Sequence, residues 1–171
     1  MKRLLSIIGA ISLVGTSTTS LVACNIPQEY TKEELEHLKK ENQIDTKDET
    51  IKNNLEWIVP QEMPFNQIDD NKYYYVVWRG DEKIEWKIIK FQHNIDLNSI
   101  SLKRKLNHYK EHDLFVSPKG LVINRYDFIY ERPKWWEINS NYFKSVYRWN
   151  LDTQAPDLTI DKNGNIKVNG E

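Results

Sequence analysis

An α+β domain, with N-terminal helices followed by an antiparallel, hairpin-rich sheet, is the fold class that this 171-residue sequence predicts. Three observations carry it. Helix-capping patterns cluster before residue 60, short aromatic runs with period-two alternation fill the middle of the chain, and turn residues recur between those runs. Helices first and adjacent hairpins afterwards segregate into α+β rather than into alternating strand–helix units.

The chain opens on Met1-Lys2-Arg3, continues through an apolar run from Leu4 to Val14 and a small polar bridge, and reaches Leu21-Val22-Ala23-Cys24. A positive start, a short apolar stretch and small residues before a cut are secretory signal architecture. The apolar run of 11 residues is well short of the ~20 that a bilayer-spanning helix needs. Cys24 is the single cysteine, so the fold has no internal disulfide. The last four residues resemble a bacterial lipobox, and the leader as a whole resembles those of mollicute lipoproteins of the spiroplasma kind. The resemblance covers 24 residues and implies that Cys24 receives diacylglycerol, becomes the new N-terminus and tethers the chain to the cell membrane. It also implies a wall-less bacterium and an exposed, lipid-anchored product on the extracellular face. Two acyl chains hold a protein stably at a membrane, at ~0.8 kcal/mol per buried CH₂.

Cleavage would remove Lys2 and Arg3 and no acid, taking the formal charge from −1 to −3. Asn25 to Tyr30 reads as a tether. Thr31-Lys32-Glu33-Glu34 fits a capping box, which predicts a polar helix over about 32–42. Thr46 to Glu49 repeats the cap, and Ile51, Leu55 and Ile58 at i, i+4, i+7 predict an amphipathic helix near 47–57. Pro60 and Pro64 then break the chain. Aromatics place the packed body: 19 of the 20 lie between Trp57 and Trp149, which sets its start near Asn54. The expected organisation is a signal peptide over 1–23, a tether and polar helix over 24–53, and a domain over 54–171.

Within that domain, two strand-like runs flank Arg79-Gly80-Asp81-Glu82, and Gly80 suits a two-residue hairpin turn. That register pairs Val77 with Ile84, Tyr75 with Trp86 and Tyr73 with Ile88. It leaves Tyr74, Val76 and Trp78 on an aromatic but wet face with Lys83, Glu85 and Lys87. Ser99 to His112 reads as a helix striped by Leu102, Leu106 and Tyr109. A second hairpin is expected around Pro118-Lys119-Gly120. A half-buried strand carries Phe143, Tyr147, Trp149 and Leu151 on one face, and a terminal hairpin turns on Asn163-Gly164.

Few motifs carry chemistry. His108-Tyr109-Lys110-Glu111-His112 matches H-x-x-E-H, in which two imidazoles one helical turn apart bind zinc and the glutamate activates water. His108 and His112 are thus candidate metal ligands, although Arg104 and Lys105 beside them oppose a cation. Arg79-Gly80-Asp81 is a tripeptide that integrins recognise, but glycine among charged residues is also what any exposed turn prefers. Trp78, Trp135 and Trp136 are candidate partner-contact residues, since runs of aromatics in a strand must show some side chains to each face. A second face covered by the N-terminal helices would instead make them ordinary core, and that is the commoner arrangement. The basic stretch 103–110 is a candidate contact for anionic lipid. A formal charge of −1 supplies no global field for nucleic acid, and no cofactor loop is present.

These residues together read as a lipid-anchored surface protein of non-enzymatic, binding type. The membrane is its partner through Cys24, and a host or neighbouring surface protein is its expected contact. The alternatives are a small zinc-dependent surface hydrolase through 108–112, a host-receptor adhesin through 79–81 and, ranked below these, a solute-binding subunit.

Overall fold

The computed structural model describes residues 29–66, 70–94, 103–126 and 132–171. The leader and Cys24 lie outside them. In chain order the elements are α1 (Lys32–Glu41), α2 (Glu49–Asn54), β1 (Leu55–Ile58), a 3₁₀ turn (Pro60–Glu62), β2 (Tyr73–Trp78), β3 (Lys87–Gln92), β4 (Arg104–Tyr109), β5 (His112–Ser117), β6 (Gly120–Arg125), β7 (Lys134–Trp135), β8 (Phe143–Trp149), β9 (Leu158–Ile160) and β10 (Ile166–Val168). The described chain is therefore mostly β, which overturns the α+β expectation. Only α1 exceeds six residues among the described helices, and it buries none of its side chains.

Two antiparallel four-stranded sheets, ordered β1-β8-β2-β3 and β4-β5-β6-β7, pack on each other, and β9 and β10 form a separate hairpin. The reason lies in β2. Its sequence Tyr-Tyr-Tyr-Val-Val-Trp is apolar at every position, so neither face can be left in water. Tyr74, Val76 and Trp78 meet Leu114, Val116, Leu121 and Ile123 of the second sheet in one core. Tyr75, on the opposite face, joins Ile44, Ile51, Leu55, Tyr147, Trp149 and Leu158 in another. The face expected to be wet is the inter-sheet core: Tyr74, Val76 and Trp78 are each 0% exposed. Ile44 and Ile51 also carry the packed body back beyond the expected start near Asn54.

Buried tyrosines keep their hydroxyls satisfied, as the cost of an orphaned polar group demands. Tyr74 donates to Asp70 at 2.6 Å, Tyr147 to the Asn42 carbonyl at 2.9 Å, and Tyr75 to the Pro156 carbonyl. The Trp78 indole N–H, by contrast, has no hydrogen-bond partner among the described residues.

Local signals succeed where they are capping or turn signals. Thr31 and Glu34 form the expected capping box, with Thr31 N donating to Glu34 Oε2 at 2.8 Å and Glu34 N to Thr31 Oγ1 at 3.2 Å. The hairpin at Pro118-Lys119 closes with Ser117 opposite Gly120, and the terminal hairpin turns at Gly164 with φ +80°. Three long-range expectations fail. The helix near 47–57 is capped by Asp48 instead of Thr46 and yields to β1 at Leu55, where Trp57, Ile58 and Val59 favour a strand. The 73–78 hairpin pairs Val77 with Ile88, Tyr75 with Lys90 and Tyr73 with Gln92, four residues beyond the expected register. And the helix over 99–112 is two antiparallel strands, β4 and β5, with Tyr109 opposite His112; its residues 99–102 lie outside the described ones.

One polar clamp ties α1 to the first sheet. Glu56 on β1 accepts from Lys39 at 2.5 Å, from Arg148 on β8 at 2.7 Å and from Asn150 at 3.0 Å. Burial alone would raise its carboxyl, but these donors outweigh burial and hold it down at about 2. A carboxylate depressed on folding stabilises the native state above its unfolded value near 4.5, and that contribution fades as the pH falls toward 2. Glu56→Gln is accordingly expected to lower stability by about 1–3 kcal/mol at pH 7. In urea melts its difference from wild type should shrink progressively below pH 4.5; a difference independent of pH would rule out the charged clamp. In the core, Trp78→Ala is expected to cost about 3–5 kcal/mol by chemical denaturation. Trp78→Phe should cost distinctly less, because it removes an unsatisfied N–H along with the volume.

Candidate functional site

The two sequence motifs, 79–81 and 108–112, converge in space. Both lie where the loop after β2 meets the β4–β5 turn, and Asp81, Ile84, Lys110, Glu111, His112 and Arg125 line a shallow cleft of about 270 Å³. Gly80 is buried against His112: a Cβ on Gly80 would fall 2.2 Å from the imidazole Cγ. Lys134 from β7 donates to the Gly80 carbonyl at 2.8 Å, so both sheets hold this residue.

Convergence does not assemble the expected chemistry. A strand points successive side chains to opposite faces. His108 stands opposite Asp113 and His112 opposite Tyr109, so the two imidazoles project to opposite sides of the β4–β5 ladder. His108 is half-exposed and its Nδ1 lies 2.7 Å from Asp113, while His112 is buried behind the cleft. The candidate zinc pair is therefore split by the sheet, a correction that follows from the helix being a strand pair. Among the described residues no group of three or more His, Cys, Asp or Glu is arranged to hold a metal ion. Glu111 is engaged by Arg125 across the turn.

The Arg79-Gly80-Asp81 tripeptide is held as structure and is not displayed at a tip. Arg79 donates through Nε to the Asn141 carbonyl at 2.7 Å and through a terminal nitrogen to the Glu82 carbonyl at 2.9 Å. Its guanidinium also lies 4.3 Å from the Trp86 ring centroid, a cation–π contact. Asp81 accepts from the Lys83 backbone N–H at 2.9 Å, which holds its carboxyl below the usual range.

The three tryptophans separate. Trp78 is fully buried and Trp136 is 9% exposed in the same core, which removes both as contact residues in this conformation. Trp135 faces outward on β7, half-buried, with the Lys103 ammonium 5.6 Å from its ring. The basic stretch lies on β4, where Lys105 pairs with Asp113 at 2.7 Å and spends its charge there.

A larger concavity was not legible in the sequence. A groove of about 440 Å³ runs between α1, the end of β1 and the start of β8, and its lining includes Trp57, Pro60, Arg79, Trp86 and Lys144. Trp86 is fixed on both sides, by Arg79 and by Gly164, whose missing Cβ would lie 2.7 Å from the indole. Its signal was the even-numbered alternation Ile84, Trp86, Ile88, but the shifted register moved Trp86 from a strand into the loop before β3. A second missed cluster sits at one end of the β2–β3 ladder, where the chain enters β2 and leaves β3: His93, 1% exposed, has Nδ1 3.2 Å from Asp70, which also binds Tyr74. Burial would raise the Asp70 carboxyl, and the contacts from His93, Tyr74 and the Lys72 N–H bring it below the ordinary range.

Gly80→Ala is expected to lower stability by about 1–3 kcal/mol, since the His112 ring and the pinned loop leave no room for a methyl group. Asp81→Glu should leave the melting temperature within about a degree or two, since surface substitutions rarely exceed ±0.5 kcal/mol. A stable Gly80→Ala variant in thermal melts would show that the loop moves freely.

Compared with known proteins, the chain is 33% identical over 94 residues to the "Uncharacterized protein ORF1" of Spiroplasma virus SpV1-R8A2 B. The match takes in 55% of this chain but only 8% of that much longer protein. No family model matches the sequence, and no solved structure matches it. The resemblance thus extends to a protein of a Spiroplasma virus.

Proposed function

We infer that the protein is a lipoprotein anchored through diacylglyceryl-Cys24 to the outer face of a mollicute cell membrane, with its β body serving as a non-enzymatic interaction module. The observation that carries this reading is the tetrad Leu21-Val22-Ala23-Cys24 behind a short apolar leader, which places the chain's single thiol where lipid transfer needs it. The likeness to a Spiroplasma virus protein accords with the mollicute character of that leader. Among the described residues no helix is long and apolar enough to cross a membrane. Only a few residues separate Cys24 from Tyr30, and an extended chain covers at most ~3.6 Å per residue, so the body would stand close to the bilayer surface.

An interaction role is supported by how the titratable groups are used. The imidazoles of the zinc motif are parted by a sheet, and Arg79 and Glu111 are committed to internal contacts. What is left outward is a grooved surface with indoles and cations at its rim, the kind of composition that protein contacts favour.

Metabolic labelling with a clickable fatty acid tests the anchor. Wild type is expected to take the label and to partition into the detergent phase, and Cys24→Ser to do neither. Equal labelling of the two proteins, or no acyl mass on residue 24 of the native protein, would refute the reading.

A further inference from the structure

The floor of the large groove is an unfinished edge of the first sheet. β2 pairs with β8 along Phe143–Trp149, whereas β1 pairs with it only from Val146 to Trp149. β1 cannot continue, because Pro60 has no N–H to donate and the chain turns there into the 3₁₀ segment. On that side, residues 143–145 of β8 have no neighbouring strand among the described residues. Open backbone groups of this kind form a template for another strand.

What surrounds the edge matches that use. The groove of about 440 Å³ and a second hollow of about 240 Å³ meet at Lys144 and Ser145. The groove takes its walls from Trp57, Pro60 and Trp86, and the hollow from Ile44, Tyr147 and Ile166. An added strand sends alternate side chains to opposite faces, so it would place one set in the groove and the other in the hollow. Charge selects among sequences. The groove is lined by Arg79 and Lys144 against Glu137, and among the described residues the Arg79 guanidinium donates to the neutral Asn141 and Glu82 carbonyls and pairs with no carboxylate. The hollow sets Glu41 and Asp45 against Lys144, a net acidic lining that disfavours acidic side chains there. The β-bulge at Lys144, where the register slips between Val77 and Trp78, turns this cation out at the edge.

We propose that the open β8 edge at 143–145 receives an extended segment of a partner protein as an added strand, with apolar and acidic side chains on the groove side and small polar ones on the other. This names the partner class for the interaction module inferred above and rests on that reading. The anchor itself is tested separately through Cys24.

The test uses the purified full chain in mild detergent and a set of capped heptapeptides that alternate threonine with apolar or acidic residues, beginning with Thr-Trp-Thr-Glu-Thr-Val-Thr. Hydrogen exchange followed by mass spectrometry is expected to show slowed exchange confined to the segment holding 143–146. N-methylation of alternate peptide amides should abolish that protection without touching the protein. Lys144→Glu, an exposed substitution, should weaken binding by about 10-fold, roughly 1.4 kcal/mol. Absence of protection across the whole set at millimolar peptide, protection at another surface, or equal binding of the N-methylated peptides would overturn the proposal. None of those results would bear on labelling at Cys24.

Discussion

A strand with no polar face is the constraint on which the rest of the molecule depends. Tyr73–Trp78 must be covered on both sides, and one four-stranded sheet supplies only a single layer. The second sheet closes one side through Leu114, Val116, Leu121 and Ile123. The other side is closed by parts far apart in sequence: Ile44 and Ile51 from the N-terminal segment, and Ala155 and Leu158 from the C-terminal one. The two ends of the described chain are thus recruited to the same layer, and Thr46 hydrogen-bonds the Glu171 carboxylate at 2.8 Å. Helix α1 takes no part in either core; the Glu56 clamp, with Lys39 and Arg148, attaches it to the edge.

This constraint also explains what was legible in the sequence. Signals that act over two to four residues were read correctly: the Thr31–Glu34 box, the Pro118-Lys119 turn, and the glycine at 164. The aromatic runs did mark β2 and β8. Their faces were misassigned because a two-sided strand carries no alternation to read. The register of β2 with β3 was missed because Gly80 looked like a turn residue. Its lack of a side chain serves a different purpose, the close approach of the His112 ring. A glycine required by packing and one required by a turn are identical in sequence.

Periodicity misled at two bulges. In β4 the register slips between Lys105 and Asn107, so Leu106 and Tyr109, three apart, both pack against the inter-sheet core. That spacing imitates a helix stripe and produced the expectation of a helix over 99–112. In β8 the slip at Lys144 puts Phe143 and Val146 in one core and Tyr147 and Trp149 in the other. The odd-numbered face inferred from the sequence is therefore split. With the helix gone, the zinc reading loses its geometry, since its two histidines were neighbours only at 3.6 residues per turn.

The same accounting locates where such a fold can still act. Its faces are spent on covering β2, Arg79 and Arg148 with several acids on internal fastenings, and Gly80 of its conspicuous tripeptide on packing against His112. Strand edges are what a two-layer β body has left over, and these are blunted unequally. β3 and β4, on the same side, are bridged by Tyr109 to Glu85 and by Lys87 over the Tyr109 ring at 4.3 Å. β7 is only two residues long, which limits what it can template. β8 differs from these: an interior strand, it becomes an edge for three residues because a proline stops its neighbour. An edge flanked by concavities on both faces offers directional hydrogen bonds together with side-chain selection, and those two together make strand addition specific.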